Sequence, residues 1–114
     1  MPADAFDESA LEELREDLGD ETFARLLGKC VEDVRERLGR LDEAAAAKDH
    51  VKTRAIAHQL KGLFAQFGAI EAAATASATE TSGDDAIADS LPILARAAAA
   101  ALLRFAALRN VGAE

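Results

Sequence analysis

Three side chains in this sequence have types and spacing suited to reactive chemistry: His58, Lys61 and Gly62, in the run Ala57-His58-Gln59-Leu60-Lys61-Gly62. The apolar residues Ile56, Leu60, Leu63 and Phe67 recur at intervals of four, three and four. At about 100° per residue this places them within roughly 40° of one another on a helix, as a buried stripe. Measured from Ile56, His58 falls at about 200°, Arg54 at about 160°, Lys61 at about 140°, Ala65 at about 180° and Gly62 at about 240°. His58 therefore faces outward, among basic and very small residues. An imidazole with an ordinary pKa of about 6.5 is largely uncharged at neutral pH and keeps a free ring nitrogen, able to attack an electrophilic phosphorus.

Side chains on a helix lean toward its N-terminus, so Lys61 and Gly62 lean over the imidazole. Lys61 supplies a cation for whatever His58 carries, and Gly62 leaves the ring accessible. A glycine inside a helix costs about 1 kcal/mol relative to alanine, and close approach of another protein is a reason to keep one. Phosphoryl transfer also needs cations around the moving group, commonly magnesium held by carboxylates. Arg54, Ala55, Lys61 and Gly62 occupy the positions three and four residues either side of His58. No carboxylate is expected near the ring, so metal and acids would arrive with a partner. No nucleotide-cradling glycine loop of the P-loop type is present. A hydrolase using His58 as general base would lack an orienting carboxylate and a nucleophile. His50, beside Asp49, reads as a surface residue.

With Phe67-Gly68-Ala69 downstream, the His58 segment resembles the signature of histidine-containing phosphotransfer (HPt) domains. The likeness extends upstream to Phe23, Leu26, Leu27, Val34, Leu38, Leu41 and Asp49. It implies that His58 accepts a phosphoryl group on Nε2, that Lys61 stabilises it, and that Gly62 and Ala65 leave room for a receiver domain docking against Arg54, Ala55 and Gln59. The implied role is that of a phosphorelay carrier, not an enzyme, moving phosphoryl groups between receiver-domain aspartates, with a hybrid histidine kinase as a further possible partner. No cofactor is implied beyond magnesium on the receiver. Leu63 and Phe64 stand where small or hydroxyl residues are usual, which predicts no hydroxyl contact to the phosphoryl group and a reshaped docking surface. The alternative is a helical adaptor that docks on a receiver or kinase without being phosphorylated.

The elements that must position His58 are all helical. Asp7 is placed to cap a first helix, with Phe6 and Leu11 as a hydrophobic staple and Leu11, Leu14 and Leu18 facing inward. Gly19 ends it, and Asp20 is expected to cap the second. Phe23, Leu26, Leu27, Cys30, Val31, Val34, Leu38, Leu41 and Ala45 then follow helical spacing over about 40 Å. Asp49 caps the histidine helix, which ends at about Phe67 before Gly68. A weaker fourth helix runs from Ile70 to about Thr79, with Ile70, Ala73, Ala74 and Ser77 as its face. Ser82-Gly83-Asp84 reads as a turn. Ile87, Leu91, Leu94, Ala98, Leu102, Phe105 and Leu108 keep one register through Pro92, which favours a last helix that starts near Asp85 and kinks at the proline over one capped by Ser90 with Pro92 in its first turn. Strand patterns, repeats and linkers are missing from the sequence, so the expected fold is all-α: an antiparallel up-down four-helix bundle with an extra short N-terminal helix, as a single domain over residues 1–114.

Composition narrows the partners. The formal net charge is -8, and residues 1–21 carry nine acids and one base, while the rest carries twelve of each. Lys48, Lys52, Arg54 and Lys61 stand against Asp49 alone between positions 48 and 61, so a locally positive surface is expected around His58. The overall acidity argues against nucleic acid. Cys30, the single cysteine, excludes an internal disulfide, builds no metal site with the two histidines, and reads as a buried thiol. No signal peptide is visible, and Arg96 and Arg104 interrupt the alanine-rich run near the C-terminus. A cytoplasmic monomer that does not engage membranes is expected.

Overall fold

Asp7 opens the first helix by accepting a hydrogen bond from the Ala10 amide at 3.0 Å. A computed structural model describes the backbone of residues 5–113 and the side chains of residues 5–109. Five helices are present, α1 (Glu8–Leu18), α2 (Asp20–Ala46), α3 (His50–Gln66), α4 (Ile70–Glu80) and α5 (Ile87–Ala113), with no strand among the described residues. Phe6 is partly buried and packs against the core cluster to which Leu11 belongs. Gly19, at φ +83°, ends α1 and also takes the cap position of α2. Asp20, expected as that cap, is instead the first residue of α2. Its charge there favours the positive end of the helix, and its carboxylate lies 3.8 Å from Arg15.

Helices α2 and α3 both end in a Schellman turn, which returns two orphan carbonyls to backbone donors. After α2, the Lys48 amide donates to Ala45 and the Asp49 amide to Ala44, with Lys48 in the left-handed region at φ +57°. After α3, the Gly68 amide donates to Ala65 and the Ala69 amide to Phe64, with Gly68 at φ +67°. The first turn runs straight into the Asp49 cap of α3, which accepts from the Lys52 amide at 3.1 Å. The second turn receives the N-terminal segment, because the Asp7 amide donates to the Gly68 carbonyl at 2.8 Å.

Helix α2 packs on α3 and α5, α4 packs on the same two, and α1 packs on α2. One cluster joins them. Its largest members include Phe23, Phe64, Phe67 and Phe105, all essentially inaccessible. Phe67 stands between Phe23 and Phe105 with edge-to-face contacts at 6.1 and 6.0 Å. Cys30 is buried as expected. Its thiol faces the Leu63 carbonyl at 3.6 Å, and burial, reinforced by the Asp33 charge, pushes it up to about 11.

Three expected faces are corrected. Leu26 is 39 % exposed, because it lies about 100° from Leu27 and falls at the flank of the α2 stripe. On α3, Phe64 is fully buried and Leu63 only partly. The helix lies between α2 and α4, which widens its buried arc to take in Thr53, Ala57 and Phe64. On α4, Ala72, Ala76 and Thr79 are buried and Ile70 is 45 % exposed. Small residues let this helix approach α3 and α5 closely, and Thr79 satisfies its hydroxyl on the Thr75 carbonyl at 3.0 Å. Helix α5 runs through Pro92, which favours the longer of the two readings over a start capped by Ser90, although it begins at Ile87. By length and composition it could cross a membrane, with a mean hydropathy of 1.7 over Ile87–Arg109. In this fold its Leu94, Ala98, Ala101 and Phe105 are buried in the core.

Candidate functional site on the third helix

The face of α3 opposite its buried arc carries His58, whose side chain is 63 % exposed. Gly62 and Ala65 are exposed one and two turns further on. A Cβ built at Gly62 would meet nothing within 4 Å, so the glycine relieves no internal crowding. Towards the N-terminus the same face continues through Ala55 and Val51, the latter 74 % exposed. Val51, Arg54, Ala55, His58, Gln59 and Glu80 line an open concavity of about 630 Å³. Phe64, at the bottom of the core, has no part in this surface, which corrects the expectation that it reshapes docking.

The expectation that no carboxylate lies near the ring is also overturned. Glu80, the last residue of α4, places Oε1 2.6 Å from His58 Nδ1 and Oε2 3.0 Å from Lys61 Nζ. The Glu80 side chain is only 26 % exposed, and its Oε2 is closed to solvent, with the lysine ammonium as ionic partner. Lys61, with a smaller contribution from His58, holds the Glu80 carboxyl below its ordinary value of 4.5, against an upward push from desolvation. One carboxylate thus joins the two groups that the α3 pattern had singled out.

A parallel arrangement lies two turns earlier. Asp84, in the turn after α4, takes Arg54 at 2.8 Å and His50 Nδ1 at 3.3 Å, and Arg54 also donates to the Ser82 carbonyl at 3.3 Å. Arg54 foremost, then His50, lowers the Asp84 carboxyl from its ordinary 3.8. Arg54 and Lys61 of α3 are therefore matched by acids from a distant part of the chain, and the expected positive patch is a mixed one. Arg54, read as a docking residue, is committed to an internal clip. Gln59 is exposed and accepts from Arg37 Nε of α2 at 3.0 Å.

Spacing along α3 had no access to Glu80, which lies twenty-two residues beyond His58. The missed signal was the turn at Gly68. A helix folded back there brings residues about equally far from the turn face to face, and α4 carries two acids, Glu71 and Glu80. Among the described residues no group of three or more His, Cys, Asp or Glu side chains could hold a metal ion.

An accessible histidine, a lysine three residues on and an open glycine thus share one helix of an all-helical set of described residues. The Hpt domain family model matches residues 25–110, and the chain belongs to this family. Its members are phosphocarriers of phosphorelay signalling, working with receiver domains and histidine kinases. No curated protein and no solved structure gives a match.

Proposed function

We propose that the chain is a phosphorelay intermediate in which His58 takes a phosphoryl group from a receiver-domain aspartyl phosphate and passes it to a second receiver. The observation that carries this reading is the exposure of His58 beside Lys61 and the unobstructed Gly62, on the helix that the family match covers. In the forward step a lone pair on His58 Nε2 attacks phosphorus. The P–N bond forms while the P–O bond to the receiver carboxylate breaks, and the aspartate leaves as a carboxylate. The onward step is the reverse exchange on another receiver. Magnesium and the acceptor acid belong to that partner. Lys61 stabilises the transferred group, Gly62 and Ala65 provide access, and Ala55 and Gln59 frame the docking surface, with Arg54 at its edge held by Asp84.

The same reading takes residues 1–114 as one domain in which α2 to α5 form an antiparallel up-down bundle and α1 is an added short helix. The contacts of α2 and α4 with both α3 and α5, and the short connections between successive helices, support it. A cytoplasmic monomer completes it. Incubation with a phosphorylated receiver and magnesium is expected to label the protein on His58 with an acid-labile phosphoryl group. His58→Gln should take no label, and Lys61→Ala should take it more slowly. Equal labelling of His58→Gln would refute the assignment, and receiver binding without any label would identify an adaptor.

A further inference from the structure

At the start of α3, the end remote from Gly68, the turn after α2, the first turn of α3 and the start of α5 enclose a cavity of about 310 Å³. Its floor offers no free donor. Ile87 is buried, and the equally buried Thr53 donates its hydroxyl proton to the Asp49 carbonyl at 2.8 Å. Ala45, Ala88 and Leu91 continue this surface as apolar walls. The charged and titratable groups that line it are Lys48, His50 and Asp84, and all three reach solvent, so they form a rim. Asp84 is already taken by Arg54 at 2.8 Å and by His50 at 3.3 Å. Asp49 and Asp85 do not line the cavity, and the Asp49 carboxylate is turned to the Lys52 amide at 3.1 Å. Arg54 alone balances Asp84, which leaves the Lys48 ammonium as excess positive charge above an apolar floor, and His50 adds to it when protonated.

We infer that this cavity binds a small amphipathic carboxylate, with a short hydrocarbon body against Ile87, Ala88 and Leu91 and its charge at Lys48 and His50. Small-molecule sites occupy about 300–1,000 Å³, so this one takes a ligand at the lower limit, of about ten non-hydrogen atoms. The two parts of the ligand do different work. Removing the hydrocarbon from water supplies most of the affinity, whereas an exposed ion pair adds little and chooses the sign of the headgroup. The site is distinct from the phosphoryl acceptor, because His50 and His58 lie eight residues apart, about 12 Å along α3. It does not depend on the carrier reading.

Amide spectra of the ¹⁵N-labelled full chain, titrated with sodium octanoate below its micellar concentration, test the inference. Saturable shifts should centre on Ala45, Lys48, Thr53 and Ala88, with half-saturation on the order of 1 mM, as suits a ligand of about ten atoms. The uncharged 1-octanol should bind at the same amides roughly two- to fivefold more weakly, the worth of an exposed ion pair, and octylammonium more weakly still. Lys48→Asn removes the charge while keeping a residue that tolerates φ +57°. It should bring octanoate down to the affinity of 1-octanol and leave 1-octanol unchanged. Ala88→Leu, at an exposed position in the first turn of α5, should fill the cavity and abolish binding of both. Four results overturn the inference: no saturable shift, shifts centred on the exposed Ile93 and Leu103 instead, octylammonium binding as tightly as octanoate, or folded variants that bind octanoate like the parent. His58→Gln should bind octanoate as the parent does, so a chain that takes up octanoate but no phosphoryl label keeps this site and loses only the carrier reading.

Discussion

At the scale of single residues, the site is built from two carboxylates, each shared between a histidine and a longer base of α3. Glu80 and Asp84 both sit below their ordinary values of 4.5 and 3.8, the first through Lys61 and His58, the second through Arg54 and His50. A carboxyl lowered by folding adds stability that is complete above its unfolded value and is lost as pH falls through its folded one. These two clips should therefore contribute fully at pH 5 and fade below about 4.5. Urea midpoints measured at about pH 5 and about pH 3 should fall less in the Glu80→Gln, Asp84→Asn double variant than in the parent. An equal fall in both would show that the pairs add nothing to folding. These acids were the part of the site that sequence could not reveal. His58, Lys61 and Gly62 share one helix and are linked by a period, whereas Glu80 and Asp84 reach them only through the fold.

At the scale of elements, helix limits were read well and helix faces less well, for one physical reason. Limits are local: Asp7 and Asp49 cap by bonds to amides three residues on, and Gly68 stops α3 through its own backbone conformation. Faces are set by neighbours. Helix α3 buries Phe64 more deeply than Leu63 because two helices flank it, and α4 buries Ala72 and Ala76 in preference to Ile70 because close approach favours small side chains. The two glycines of the α3 region separate these influences. Gly62 is mid-helix with nothing within 4 Å of an added Cβ, so Gly62→Ala should stabilise the protein by about 0.8–1 kcal/mol. Gly68 has φ +67° and its added Cβ would lie 3.1 Å from the Asp7 carbonyl, so Gly68→Ala should destabilise by about 1–2 kcal/mol or more. Urea denaturation gives both signs. If Gly62 serves access, the stabilised Gly62→Ala variant should nonetheless receive phosphoryl groups more slowly from a receiver, and an unchanged rate would assign the residue no part in docking.

At the scale of the whole molecule, the face of α3 that bears His58 is held by the opposite face of the same helix. The 45 Å long dimension matches the two 27-residue helices α2 and α5, at about 40 Å each, with α3 and α4 packed along them. Phe67, immediately after α3, ties the three parts together by standing between Phe23 of α2 and Phe105 of α5. Truncating a buried phenylalanine costs about 3–5 kcal/mol, a large share of the roughly 5–15 kcal/mol that stabilises a domain of ordinary size. Phe67→Ala should therefore lower the urea midpoint more than any substitution on the His58 face. Phe67→Leu, which retains most of the volume, should lower it less. Helix α3 places His58 nine residues and about 13 Å of helix away from Phe67, so the two losses should be independent. In Phe67→Leu, well below its unfolding transition, transfer to His58 should proceed at the parental rate. A slower rate in the fully folded variant would mean that the aromatic contacts set the orientation of α3 against α4, and with it the reach of Glu80 to the imidazole.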